Sequence, residues 1–170
     1  MAYHGVELQN SITIGKIFSI HYFEYMSNFS FAGESHNFWE FICVDKGEVG
    51  VTRGKSYTIL KKGDLIFHKP NEFHDVKATG GIAPNLVVIS FECNDDAMYF
   101  FNDRLLQIDE TERNFLANII IEARRCFDCR LDDPYLQNMP LKDPDTFGAQ
   151  QMIKLYLEHF LIHLIRRYSN

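Results

Sequence analysis

No long uncharged apolar run occurs in the sequence, and Met1-Ala-Tyr-His has no basic stretch leading into an apolar core. A membrane-crossing helix needs about 20 consecutive apolar residues, and a secretory leader needs charge followed by hydrophobicity. A soluble, non-secreted, cytoplasmic protein with no membrane partner is therefore expected. Positive charge is also scarce. The 17 Lys and Arg stand against 23 Asp and Glu, a formal charge of −6, which argues against this segment gripping a phosphate backbone unaided. There is no GxSxG turn, no phosphate-cradling glycine loop and no HExxH pair, so the common nucleophile, nucleotide and zinc-protease motifs are excluded. Cys126-Phe-Asp-Cys129 has CxxC spacing, but no second CxxC or HxxxH accompanies it, and a structural zinc needs four ligands. Cys43 and Cys93 sit inside apolar runs, where a thiol behaves as a small hydrophobe. All four cysteines are expected to be reduced and structural. No internal repeat, low-complexity tract or linker divides the 170 residues, so the chain reads as one domain.

What is present is hydrophobic and aromatic: 46% and 14% of the residues, with 15 Phe. That is enough to build a core. Met1 to Asn10 reads as an arm. Ser11 to Tyr25 alternates partly through Phe18, Ile20 and Tyr22 and reads as one or two strands, and the Ser-, Asn- and Gly-bearing run Met26 to Ser35 reads as a loop. Strands follow at Phe38–Lys46, Val49–Arg53, Tyr57–Leu60, Asp64–His68, Asp75–Ala78 and Leu86–Cys93, with Arg53-Gly54-Lys55 as a hairpin turn. Short strands at this spacing suggest a barrel or double-sheet jelly roll over residues 10–93. The pattern then turns helical. Asp109 and Glu112 make a capping box for a helix reaching Phe127. After an irregular loop from Cys126 to Lys142, Asp143-Pro144 opens a last helix running to about Tyr168. The fold class is mainly β with C-terminal α, the helical part occupying 109–168.

The richest stretch runs from Glu34 to His74. Glu34, His36 and Glu40 fall on even positions of a strand-like run and so share a face. Gly63-Asp64 opens a second apolar strand that stops at Pro70 and delivers His74. Together these runs resemble the two motifs of the cupin superfamily, a small β-barrel, and most closely the version in the N-terminal domains of AraC-type transcription regulators. In metal-bearing cupins two histidines and a glutamate of the first motif join a histidine of the second. Carried over, Glu34 stands where the first histidine would be, and His36, Glu40 and His74 fill the other places. If a metal is present, those four would hold it. The regulator-type resemblance implies no metal and no cofactor, a small-molecule effector in the barrel, and no catalytic residues. The ligand-facing positions it implies are His36, Phe38, Glu40, His74, Val76, Leu86 and Val88. The last three are aliphatic, so a plain sugar, with its many hydroxyls, would be poorly matched. The other reading of those positions is a barrel interior filled by its own side chains. His68, between Phe67 and Lys69 at a strand end, reads as structural.

The last helix carries Ile153, Leu157, Phe160 and Leu164 at spacings of four, three and four, with Leu161 and Ile165 beside them. So much apolar surface predicts a homodimer through this helix, unless the preceding helix covers the surplus. The resemblance adds that DNA would be bound only by a C-terminal helix-turn-helix domain that is not in this chain. The alternative function is a stand-alone metal-dependent cupin enzyme, a dioxygenase or isomerase.

Overall fold

The computed structural model describes residues 1–24 and 29–170. Tyr25 and the start of the expected loop, 26–28, lie outside the described residues. The chain forms β1 Lys16–Glu24, β2 Ser30–Glu34, β3 Trp39–Lys46, β4 Glu48–Arg53, β5 Ser56–Lys61, β6 Asp64–His68, β7 His74–Ala78 and β8 Asn85–Glu92. A 3-10 turn at Asp96–Phe101, β9 Leu105–Gln107, α1 Glu110–Cys126 and α2 Ala149–Tyr168 complete it. Gly54, at φ 59°, makes the β4–β5 hairpin where a side chain would be strained.

Two antiparallel sheets result, ordered β1-β8-β3-β6-β9 and β2-β7-β4-β5, packed face to face as a jelly roll. The five-stranded sheet is covered on both faces, which is why β3, β6 and β8 are near-continuous apolar runs. One side of each strand (Ile42, Val44, Ile66, Leu86, Val88) fills the space between the sheets with Val49, Val51, Leu60 and Val76. The other side (Phe41, Cys43, Leu65, Phe67, Val87, Ile89, Phe91) packs against the helices. No described helix is long and apolar enough to cross a membrane.

The fold corrects four expectations. Ser30–Glu34 is a strand pairing with β7, although its Gly33 and a register shift disguise any alternation. Leu105–Gln107 is a short edge strand on β6. The last helix starts at Ala149: residues 143–148 are bend, turn and irregular backbone, and Gly148, at φ 77°, takes a left-handed conformation directly before it. The fourth concerns the predicted dimer seam. Ile153, Leu157, Phe160, Leu161 and Leu164 are all fully buried within the single chain, packed on the sheet and α1. They offer no surface to a partner, because the five-stranded sheet and α1 meet α2 from two directions; only Ile165 of that set stays partly open. The capping box at Asp109 and Glu112 forms as read, each donating a backbone N–H to the other's carboxylate at 2.8–2.9 Å. Glu112 is wholly buried and also receives Arg167 and His163 from the end of α2.

Candidate functional site

Strand register builds the site. Ser19 of β1 sits opposite Ser90 of β8, Ser90 opposite Glu40 of β3, and Glu40 opposite His68 of β6. All four side chains share the face that points between the sheets, so one polar row crosses four strands at the end of an otherwise apolar barrel. The Ser19 and Ser90 hydroxyls meet at 2.5 Å. His21, two residues along β1, projects to the same side. The second sheet delivers His74 at the start of β7 and Glu34 at the end of β2, directly opposite each other.

Glu34, His36 and Glu40 do converge, though not as one strand. Glu34 ends β2, His36 lies in the following loop, and Glu40 is on β3. His74 Nε2 is 3.0 Å from one Glu40 oxygen and His36 Nε2 is 3.5 Å from the other. Glu34 Oε1 lies 3.7 Å from His36 and 3.9 Å from His74. Each of these histidines uses its Nδ1 on a backbone carbonyl, His36 on Phe38 at 3.1 Å and His74 on Glu72 at 3.0 Å. Both Nε2 atoms are buried and without an aligned hydrogen-bond partner among the described residues. His36 is further fixed by stacking on Phe38 at 3.9 Å, and Phe38 stacks on Phe18 at 3.9 Å.

The electrostatics follow from this crowding. Burial alone would raise the Glu40 pKa, but His36 and His74 beside it reverse that and hold the carboxyl ionised far below the ordinary range. Burial would lower His74; the Glu40 carboxylate outweighs it and raises the imidazole above its usual value. His68, stacked face to face on His74 at 4.2 Å, has no such partner, and burial followed by His74 itself pushes it down to about 3. Burial also lowers His21, against the opposing pull of Glu40 and a hydrogen bond to the Asp133 backbone.

Two cavities open from this cluster. The inner one, about 60 Å³, is lined by Glu40, His74, Val76 and Val88 of the predicted set, with His21, His68 and Phe31 added. The outer one, about 270 Å³, is lined by His36, Phe38 and Glu40, together with Phe18, Ser19, Phe31 and Ser90. Leu86, named as ligand-facing from the sequence, lines neither: it is fully buried deeper in the barrel, where its neighbours fill the space. The roof was unforeseen. Residues Pro134–Gln137 of the α1–α2 loop close over the mouth, and Pro134 lines both cavities. The loop is pinned at its base by Asp128 N–H to Pro140 O and Lys142 N–H to Cys126 O, and to β1 by Tyr22 N–H to Leu131 O. His21 could have been found from its alternation with Ser19 and Phe23; no local signal points to the roof.

The donor set also fits a divalent transition metal. Glu34, His36, Glu40 and His74 each offer one atom, all within 4.8 Å of one another. Ligands about 2.1 Å from one ion lie roughly 3–4 Å apart, and metal-bound histidines anchor the far ring nitrogen as these do. Those four residues would hold an ion that polarises a bound oxygen or carboxylate. The second acidic group, Asp109, Glu112 and His163, already has its cation in Arg167. The four cysteines are free thiols, with pKa values raised by burial.

A two-sheet antiparallel jelly roll with a histidine- and carboxylate-bearing mouth is a cupin-like barrel. Residues 19–100 match the model of a family described as an AraC-like ligand binding domain. No curated protein matches the chain by sequence. Among solved structures it is similar to the cupin domain of Schizosaccharomyces pombe Cnp3, at 16% identity and TM-score 0.40 over 41% of this chain and 48% of that one. It is also similar to a predicted oxalate decarboxylase from Thermotoga maritima, at 18% identity and TM-score 0.39 over 41% of this chain and 61% of that one. The chain thus spans less than two thirds of the length of either protein.

Proposed function

We propose that this chain is the effector-sensing and dimerising domain of a cytoplasmic AraC-type transcription regulator, acting on DNA through helix-turn-helix modules outside it. The observation that carries this reading is the single polar row, with its buried unpaired imidazole nitrogens, at the mouth of an apolar barrel. Polar groups buried without partners are costly and are kept where a ligand completes them. The effector enters at His36, Phe38, Glu40 and His74, with Val76 and Val88 beneath. A thermal-shift screen of small metabolites tests this. At least one compound should raise the melting temperature of the wild type and leave the cavity-filling Val88→Trp variant unmoved. A screen in which every hit acts equally on both would remove the effector reading.

No resident metal is part of this proposal, because Glu34, standing where the metal-bearing pattern has a histidine, is half exposed. The second reading, a metal-dependent cupin enzyme, is favoured by the donor geometry of the quartet. Elemental analysis of untagged protein separates them: well under one equivalent of Fe, Mn, Ni or Zn is expected. Near one equivalent, lost in the His36→Ala/His74→Ala variant, would favour the enzyme.

A further inference from the structure

Neither His21 nor His68 belongs to the quartet, yet both face the inner cavity. Their exposures are 7% and 2%, and in each the Nδ1 atom is buried with no hydrogen-bond partner among the described residues. They belong to different strands, β1 and β6, so two separate elements each bring an unsatisfied nitrogen to one chamber. An unpaired buried polar atom is costly, and two in one small cavity call for a shared explanation. The wall between them is built largely of Ile42, Val76, Val88 and Phe31, and among the described residues no polar group of the chamber hydrogen-bonds either Nδ1.

The polar groups around this chamber are nearly all acceptors. Glu34, Glu40 and Asp75 line it, and His36 and His74 spend their Nδ1 positions on carbonyls, leaving Nε2 toward the cluster. Because the Asp133 backbone takes a hydrogen bond from the His21 ring, its free Nδ1 is left as an acceptor. No Lys or Arg lines either cavity among the described residues. A carboxylate or phosphate entering here would meet three carboxylates, offset only by the His74 imidazole that already pairs with Glu40 at 3.0 Å, in a weakly screened site.

We propose that His21 and His68 form an inner recognition subsite for a ligand whose head carries a hydrogen-bond donor and no negative charge, either a hydroxyl or an ammonium. This rests on the effector reading of the same barrel. The cavity of about 60 Å³ admits a head of only a few non-hydrogen atoms. The body of the ligand lies in the outer cavity of about 270 Å³, against Phe18, Phe31, Phe38 and Pro134. Those rings suit an aromatic or aliphatic body, and Phe31, which lines both cavities, adds cation–π attraction if the head is an ammonium.

Three probes of one shape test it: 2-phenylethanol, 2-phenylethylammonium and 3-phenylpropionate, each titrated into EDTA-treated protein labelled with 15N at histidine. The alcohol, the ammonium or both should shift the His21 and His68 ring-nitrogen signals, and the carboxylate should bind at least about tenfold more weakly. Which of the two binds tells a neutral head from a cationic one. His68→Phe keeps a ring to stack on His74 and should weaken binding about tenfold, as should His21→Phe. The wild-type spectra decide the matter even if a variant fails to fold. Equal or tighter binding of the carboxylate overturns the proposal while leaving a small-molecule effector in place. Silence from all three probes, or binding that leaves the His21 and His68 signals unmoved, also overturns it. The metabolite screen on Val88→Trp judges the effector reading independently.

Discussion

At the scale of single residues, Glu40 sets the character of the site. It is a buried carboxylate whose two oxygens face two imidazoles, and removing its charge should release them. In metal-stripped protein, an NMR titration should place the His74 pKa above the ordinary histidine value, and Glu40→Gln should lower it, since burial is then opposed only by the Glu72 carbonyl and the Glu34 carboxylate. Stability follows from the same shifts. His74 is raised, so its contribution is full below about pH 6.5 and fades as pH rises through its folded pKa. Glu40 is depressed, so its contribution is present above the usual carboxyl range and fades only in strong acid. His68 is depressed to about 3, so the folded state loses stability as pH falls from 6.5 toward 3, by up to ~1.4 kcal/mol per pH unit. The groups facing it are His74, Glu40, Arg53 and His36. The melting temperature of the metal-free wild type should therefore fall between pH 7 and pH 5, and His68→Phe should flatten that fall. A slope unchanged in the variant would assign the acid sensitivity elsewhere.

At the scale of elements, α2 shows how an apolar surplus can be absorbed. A narrow polar stripe on the sequence suggested more greasy surface than one barrel could cover. The chain covers it from two sides, with the outer face of the five-stranded sheet and with α1, and clamps the helix end through Arg167 to Glu112 and Gln107. Leu161 is completely buried. Leu161→Ala should therefore cost about 2–5 kcal/mol in denaturant unfolding, and Leu161→Glu should prevent folding instead of yielding a folded monomer. Loss of the Asp109 cap should be milder, about 1 kcal/mol for Asp109→Ala in the same measurement. If Leu161→Glu gave a stable monomer with an intact barrel, the packing described here would be wrong.

At the scale of the whole molecule, a dimer has to use what α2 leaves open. Leu155 is 47% exposed, and Ile162 and Ile165 are partly so, at spacings of seven and three along one side of the helix. With the seam inside the monomer, these are the positions the proposed pairing with a second copy would use. Sedimentation at tens of micromolar should show a dimer, and Leu155→Glu/Ile162→Glu should convert it to a folded monomer with an unchanged β-sheet circular dichroism signal. A wild type that sediments as a monomer would remove dimerisation from the proposed function.

Periodicity and turn chemistry are local properties, and they were enough to place most strands, the capped helix and the two histidine motifs. Alternation along β3 put Glu40 on the face of Ile42, and the Pro70 stop put His74 at the head of β7, so the core of the site could be read from neighbours in the chain. Register could not. That Ser19, Ser90, Glu40 and His68 form one row depends on how β1, β8, β3 and β6 align, and those strands lie up to 71 residues apart in the chain. Nor does any local pattern show that Pro134–Gln137 returns over the barrel mouth, since a loop's destination is set by the helices it joins. The direction of an amphipathic helix is equally undetermined by its own residues: Leu161 faces inward because sheet and helix meet there. Sequence thus determined which groups could form a site, and tertiary packing decided which of them are left unpaired within it.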